Sequence, residues 1–176
     1  MVSVTVSHVI GTVALIGLFI TASMSYSIYF ADLQEQASTA QLRGIADYIS
    51  SVILDVYSIG SSSAGGQLLV KTLKIPSQVS ESSYNLSLVR VHTPSSEVAF
   101  AVLVKLTWKP SIYAESQLPW NGLDGQLSIS NGTLPEGFES STLEPKVFVL
   151  SGASTPVVWY CKNGTSITLG LGVKSQ

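Results

Sequence analysis

One motif in this sequence combines residue types and spacing that commit to a definite chemistry: asparagine followed two positions later by a hydroxyl. It occurs as Asn85-Leu86-Ser87, Asn131-Gly132-Thr133 and Asn163-Gly164-Thr165. None has proline in the middle, so each carboxamide is a permissible acceptor of an N-linked glycan if the chain is exported. Asn131 and Asn163 stand in turn-forming contexts, which favours exposure, whereas Asn85 opens a strand-like run. Other chemistry is sparse. His8 lies in an apolar stretch and His92 ends a strand-like one, and no Gly-x-Ser-x-Gly elbow accompanies them. Two histidines without clustered acids do not compose a zinc or calcium site. Neither Gly65-Gly66 nor Gly164-Thr165-Ser166 ends in the Gly-Lys-Ser/Thr of a phosphate loop. Cys161 is the sole cysteine, so an intrachain disulfide is impossible, and in the run Val157–Cys161 it reads as a small buried apolar residue. The expectation is a chain that is not an enzyme and needs no cofactor or metal.

The elements that carry these residues are unusual in composition. Of 176 residues, 45% are hydrophobic and only 11% charged, and mean hydropathy is +0.38. An ordinary soluble domain is about 25% charged. With net charge −2 and a sequence pI near 5.6, there is no basic footprint for nucleic acid. The apolar surplus is concentrated at one end. No Asp, Glu, Lys or Arg occurs from Met1 to Ala31, and Asp32 is the first formal charge.

That run predicts a helix longer than the roughly 20 apolar residues that span a bilayer. Proline is absent up to Ile75, and Gly11 and Gly17 are spaced as small residues are where helices approach closely. No basic residue precedes the run and it exceeds a signal core in length, so a cleaved secretory signal is not the expected reading. His8 is an ionisable residue inside it, which near a helix start can bond a carbonyl or reach the interface. Arg43 is the first basic residue, so flanking charge does not set the topology. Beyond Ala31 the pattern changes. Leu42, Ile45, Ile49, Val52, Val56 and Ile59 alternate spacings of three and four, a heptad-like seam, while Arg43, Asp47, Ser50, Ser51 and Asp55 fall off it. The sequence therefore predicts one helix over residues 1–59, about 85 Å long at 1.5 Å per residue, apolar over 1–31 and amphipathic over 32–59. Gly60 is expected to cap it, followed by a Ser/Gly linker over 60–66.

From residue 67 to 176 the apolar period is two. Expected strands are Leu68–Ile75, Tyr84–His92, Val98–Trp108, Gly125–Ser130, Lys146–Leu150, Val157–Cys161 and Ser166–Val173, with Glu97 to Lys109 central. Lys162-Asn163-Gly164-Thr165 places Asn-Gly between two apolar runs, a hairpin signal favouring a type I′ turn. Pro110, Pro119, Pro135, Pro145 and Pro156 punctuate the remainder. The fold class expected is α+β: a long N-terminal hydrophobic helix followed by a small antiparallel β-sandwich of immunoglobulin-like architecture.

The run VSHVIGTVALIGLFI, the long helix behind it and the Ser/Thr-rich β-domain resemble archaeal type IV pilins. The amino terminus is also similar to the small stator-type proteins of the archaellum. Pilin precursors carry a basic leader absent here, so either the numbering begins on the processed chain or that peptidase does not cleave it. His8 stands where many archaeal pilins have proline, and Thr5 where bacterial pilins have glutamate. The pilin resemblance implies a homo-polymer, inserted in the membrane before assembly and extracellular or at the cell surface afterwards. Its helices would form the filament core through Val9, Val13, Ile16, Ile20, Leu42, Ile45, Ile49, Val52 and Val56, with β-domains as the sheath and possible N-linked glycans on them. The stator resemblance implies instead a membrane-anchored protein whose β-domain grips a surface-layer or filament partner.

Overall fold

The computed structural model describes residues 2–63, 66–92, 98–121, 127–152 and 154–175. Residues 64 and 65 of the expected linker, and the first two of the strand expected over Gly125–Ser130, lie outside them. The described residues form helix α1 (Val2–Ser61) and strands β1 (Gln67–Thr72), β2 (Tyr84–His92), β3 (Val98–Leu106), β4 (Tyr113–Asn121), β5 (Leu127–Ile129), β6 (Leu143–Lys146), β7 (Phe148–Leu150), β8 (Pro156–Asn163) and β9 (Ser166–Lys174). The class is α+β with a long N-terminal helix. The chain divides into two compact units, Met1–Ala37 and Ser38–Gln176, so the boundary falls inside α1.

In the second unit the helical portion is amphipathic, and its apolar face is the spine of the core. Leu42, Ile45, Ala46, Ile49, Val52, Ile53 and Val56 are buried in one cluster with Leu86, Phe100, Val102, Val104, Val158, Tyr160, Leu169 and Leu171. Ala46 and Ile53 widen the heptad seam into the broader stripe that a helix needs against a sheet. Ser50, expected off the seam, is buried as well, whereas Ile59 leaves it and is 60% exposed.

Strands β4-β3-β2-β7 form one sheet, with β3 an interior strand as its apolar sequence requires. The other has the order β1-β8-β9, and the far edge of β9 is shared. Leu127–Ile129 of β5 pairs parallel with Ile167–Leu169, and Leu143–Lys146 of β6 pairs antiparallel with Leu171–Lys174. The expected all-antiparallel arrangement is therefore corrected to a mixed one. In β8, Val158 and Tyr160 face the helix, while Val157, Trp159 and Cys161 bury against Leu143, Leu134 and Phe138 on the opposite face. This period-two split is why β8 reads as a continuous apolar run.

Four local expectations are revised. Tyr113–Asn121 is a strand, although Pro119 within it reads as punctuation. It lies at a sheet edge, and its pairing with β3 jumps from Ala101↔Gln117 to Ala99↔Asn121, so Pro119 sits in a bulge where no ladder hydrogen bond is asked of it. The expected strand Lys146–Leu150 is two strands in different sheets. Lys146 pairs with Leu171 and Phe148 with Ser87, so the chain crosses between sheets at Val147. The β8–β9 turn has Gly164-Thr165 at its centre, with Asn163 already paired to Ser166. Only Gly164 has positive φ there (60°), the pattern of type II′ rather than I′.

The helix end is the fourth. Gly60 is still helical, and α1 stops at Ser61. The carbonyls at and just past its end are met by Lys162, whose Nζ donates to Ser61 O at 3.4 Å and to Ser63 O at 2.7 Å, and by the Ser62 hydroxyl on Ile59 O at 2.8 Å. Gly60 is needed for another reason: a Cβ there would overlap the Tyr160 ring. Tyr57 packs against Trp120 in a tilted pair (centroids 4.4 Å apart, planes at 45°) and meets Tyr160 edge-on at 6.1 Å, tying the last helical turns to β4 and β8.

Two tests follow from this packing. A Cβ at Gly170 would enter the indole of Trp159, a ring fixed by its Nε1 donating to Leu171 O at 3.0 Å. Gly170→Ala should lower unfolding stability by about 1–3 kcal/mol in urea titrations followed by tryptophan fluorescence, the usual cost of overpacking; an unchanged midpoint would contradict this packing. Tyr84 is fully buried, its hydroxyl donating to Pro76 O, and loss of hydration pushes its pKa up from 10 to about 12. Below the ordinary value the phenol is neutral in both folded and unfolded chains. Above it the unfolded chain releases the proton first, so stability falls as pH rises from 10 towards about 12. The expected loss is about 2–3 kcal/mol, and Tyr84→Phe should flatten that slope in unfolding measured across the range. An equally steep slope in the variant would contradict the assignment.

Candidate functional site: the uncharged helix segment

In the first unit, residues 8–31 of α1 carry no formal charge, and their large apolar side chains are exposed on every face. Val9, Val13, Ile16 and Ile20, the stripe expected to enter a filament core, are 52–63% exposed, and Ile10, Leu15, Leu18, Phe19 and Ile28 on the other faces are at least as open. A dozen such side chains, at about 1–2 kcal/mol each, leave a cost on the order of 20 kcal/mol unless they are covered. A domain's whole stability is only about 5–15 kcal/mol. This helix is long and apolar enough to cross a membrane, and is compatible with membrane insertion.

The polar residues of the run do not interrupt it, because their hydroxyls turn back onto the helix. Thr12 Oγ1 donates to His8 O at 2.8 Å, Thr21 Oγ1 to Gly17 O at 2.9 Å, and Ser27 Oγ to Ser23 O at 3.0 Å. Each occupies a carbonyl of the preceding turn, so these three hydroxyls keep a partner in an apolar medium. Tyr26 and Phe30 stack along one face with centroids 6.2 Å apart. Gly11 and Gly17 have nothing within 4 Å of where a Cβ would stand, so both offer open flat surface. His8 is exposed. Polar side-chain bonding of the other kind begins after the run, where Gln36 Nε2 donates to Asp32 Oδ2 at 2.9 Å.

The remaining residues expected in the helix core have a different environment. Leu42, Ile45, Ile49, Val52 and Val56 are all buried in the chain's own β-domain. The seam's partner is intramolecular, because both sheets present apolar faces to it. The three sequons are also unlike one another. Asn131 and Asn163 are exposed. Asn85 is paired on both sides, to Lys105 and Leu150, with its Oδ1 buried and without a hydrogen bond. His92 ends β2, and its side chain lies outside the described residues. Burial pushes the Cys161 thiol pKa up, which disfavours the nucleophilic thiolate. Among the described residues no group of three or more His, Cys, Asp or Glu is placed to hold a metal ion.

One surface escaped the sequence reading. Val147, Phe148 and Leu150 are exposed around the edge strand β7. The consecutive Val147-Phe148 breaks the period-two pattern, and that doublet was the available signal. Comparison of the chain with protein-family models, curated proteins and solved structures returns no match.

Proposed function

We propose that the chain is a structural subunit, a pilin, of an extracellular type IV pilus-like filament. In this reading it is held in the membrane by residues 1–31 before assembly and by like helices afterwards. The observation that carries the proposal is the all-round exposure of apolar side chains over residues 8–31, in a helix that α1 continues without proline or linker to Ser61. A charge-free run of 31 residues exceeds the roughly 20 that a bilayer requires. In a bundle of identical helices the whole circumference is covered, and Gly11 and Gly17 allow close approach. Val9, Val13, Ile16 and Ile20 line that bundle, while Leu42 to Val56 hold each β-domain to its own helix beneath the sheath. An immunoglobulin-like sandwich belongs to the same proposal. The common core of the two sheets supports it, while the helix stripe in that core and the parallel β5–β9 pair depart from the standard type.

Ile16→Asp or Ile20→Asp should abolish filaments seen by negative-stain microscopy while the near-ultraviolet circular dichroism of the β-domain is unchanged. An aspartate buried among helices has no partner to offset its desolvation, whereas Ile16→Leu should assemble normally. Intact filaments from either aspartate variant would sink the proposal. A wild-type chain found as one or a few copies in detergent, in complex with a different surface protein, would favour the stator-like anchor instead.

A further inference from the structure

The β-domain has a defect in its cover. β7 is a short strand at the edge of its sheet, and Val147 and Phe148 are 56% and 60% exposed beside it, with Leu150 at 38%. An apolar edge strand invites pairing with another chain unless something blunts it. β7 itself carries neither charge nor proline. A groove of about 600 Å³ runs alongside, with Phe148 and Leu150 on one wall and Glu144, Lys146, Asn131 and Gly132 among its other lining residues.

Asn131 heads one of the three sequons, and its loop is built to stay at that wall. Ser130 N donates to Leu169 O at 2.8 Å, Ser130 Oγ donates to Thr133 O at 2.7 Å, and Gly132 N donates back to Ser130 Oγ at 3.1 Å. Gly132 has φ 92°, and a Cβ there would stand 3.0 Å from Val147 Cγ2, so only glycine lets the loop rest this closely on the edge. Thr133 Oγ1 donates to Asn131 Oδ1 at 2.7 Å. The amide is thereby held by its oxygen, and among the described residues its Nδ2 has no partner.

We propose that Asn131 is an N-glycosylation site whose first sugars lie in this groove and cover Phe148 and the β7 edge. In the transfer, Asn131 Nδ2 bonds to the anomeric carbon of a sugar carried on a lipid phosphate. The bond from that carbon to the phosphate oxygen breaks, the lipid phosphate leaves with the electron pair, and the amide gives up one proton to base. The apolar face of a pyranose then packs on the Phe148 ring, and its hydroxyls meet Glu144 and Lys146, themselves ion-paired across the groove lining. Asn163 is also exposed, at the β8–β9 turn, but is not among the residues lining the groove, and Asn85 has its amide oxygen buried between paired strands. The inference rests on the export assumed in the filament proposal.

The test translates the full-length chain with glycosylating membrane vesicles, reading translocation by protease protection and glycan by an amidase-sensitive mobility shift. The expected result is a protected chain that loses one shift step in Asn131→Gln and in Thr133→Ala and retains it in Thr133→Ser. A protected chain whose shift Asn131→Gln leaves unchanged overturns the site while export stands; an unprotected chain overturns both. Coverage is read with Leu150→Cys in the same groove, which keeps the Phe148 ring, since the native Cys161 is buried. Maleimide labelling should be several-fold slower on the glycosylated chain than on the same variant with Asn131→Gln, and equal rates would overturn the covering role.

Discussion

The hydration of the first part of α1 is the constraint to which the rest of the molecule answers. A helix satisfies all of its backbone hydrogen bonds internally, so it is the one element that can leave water without a partner strand. From His8 to Ala31 this chain also removes every formal charge and folds the hydroxyls of Thr12, Thr21 and Ser27 back onto carbonyls. A large hydrophobic free energy favours transfer of the segment to an apolar medium, and no formal charge between Val9 and Ala31 opposes it. Lipid and a bundle of like helices both meet that demand. Passage from one to the other exchanges dispersion contacts rather than creating or destroying a hydrophobic driving force, which is why small residues matter there.

The second part of the same helix is subject to the opposite demand, and its sequence changes accordingly. Charge appears at Asp32, and between Leu42 and Val56 an apolar stripe is buried against the two sheets. The helix end is locked by specific shapes rather than by propensity: the Tyr160 ring against the bare face of Gly60, Tyr57 on Trp120, and Lys162 on the terminal carbonyls. The β-domain carries few charges and many Ser and Thr hydroxyls. The apolar strip at Val147, Phe148 and Leu150 is where that economy leaves surface uncovered, and an oligosaccharide is a neutral cover of matching chemistry.

Much of this was legible in the residues. The absence of charge up to Ala31 and the switch from all-round to striped apolarity placed the helix nearly to its last turn, and period-two alternation located β2 to the residue. The failures have physical causes. Pro119 signals a break unless one knows that β4 is an edge strand with a bulge there, which only the pairing reveals. Lys146–Leu150 looks like one strand because a crossing between sheets leaves no mark beyond the Val147-Phe148 doublet. The seam from Leu42 to Val56 correctly announced burial without naming its partner, since a heptad pattern is satisfied by a neighbouring helix or by sheets of the same chain. The sequons were equally visible at Asn85 and Asn131, but their difference in exposure is a tertiary property. The long uncharged segment was readable in full, because composition alone defines it.

The central claim is that the uncharged helix is covered by copies of itself outside the cell. Electron microscopy of material sheared from the surface of cells making this chain, with mass spectrometry of the same fraction, addresses it most directly. The account predicts uniform threads in which this chain is the main component. Its recovery only from detergent-solubilised membranes, with no threads in the sheared fraction, would contradict it.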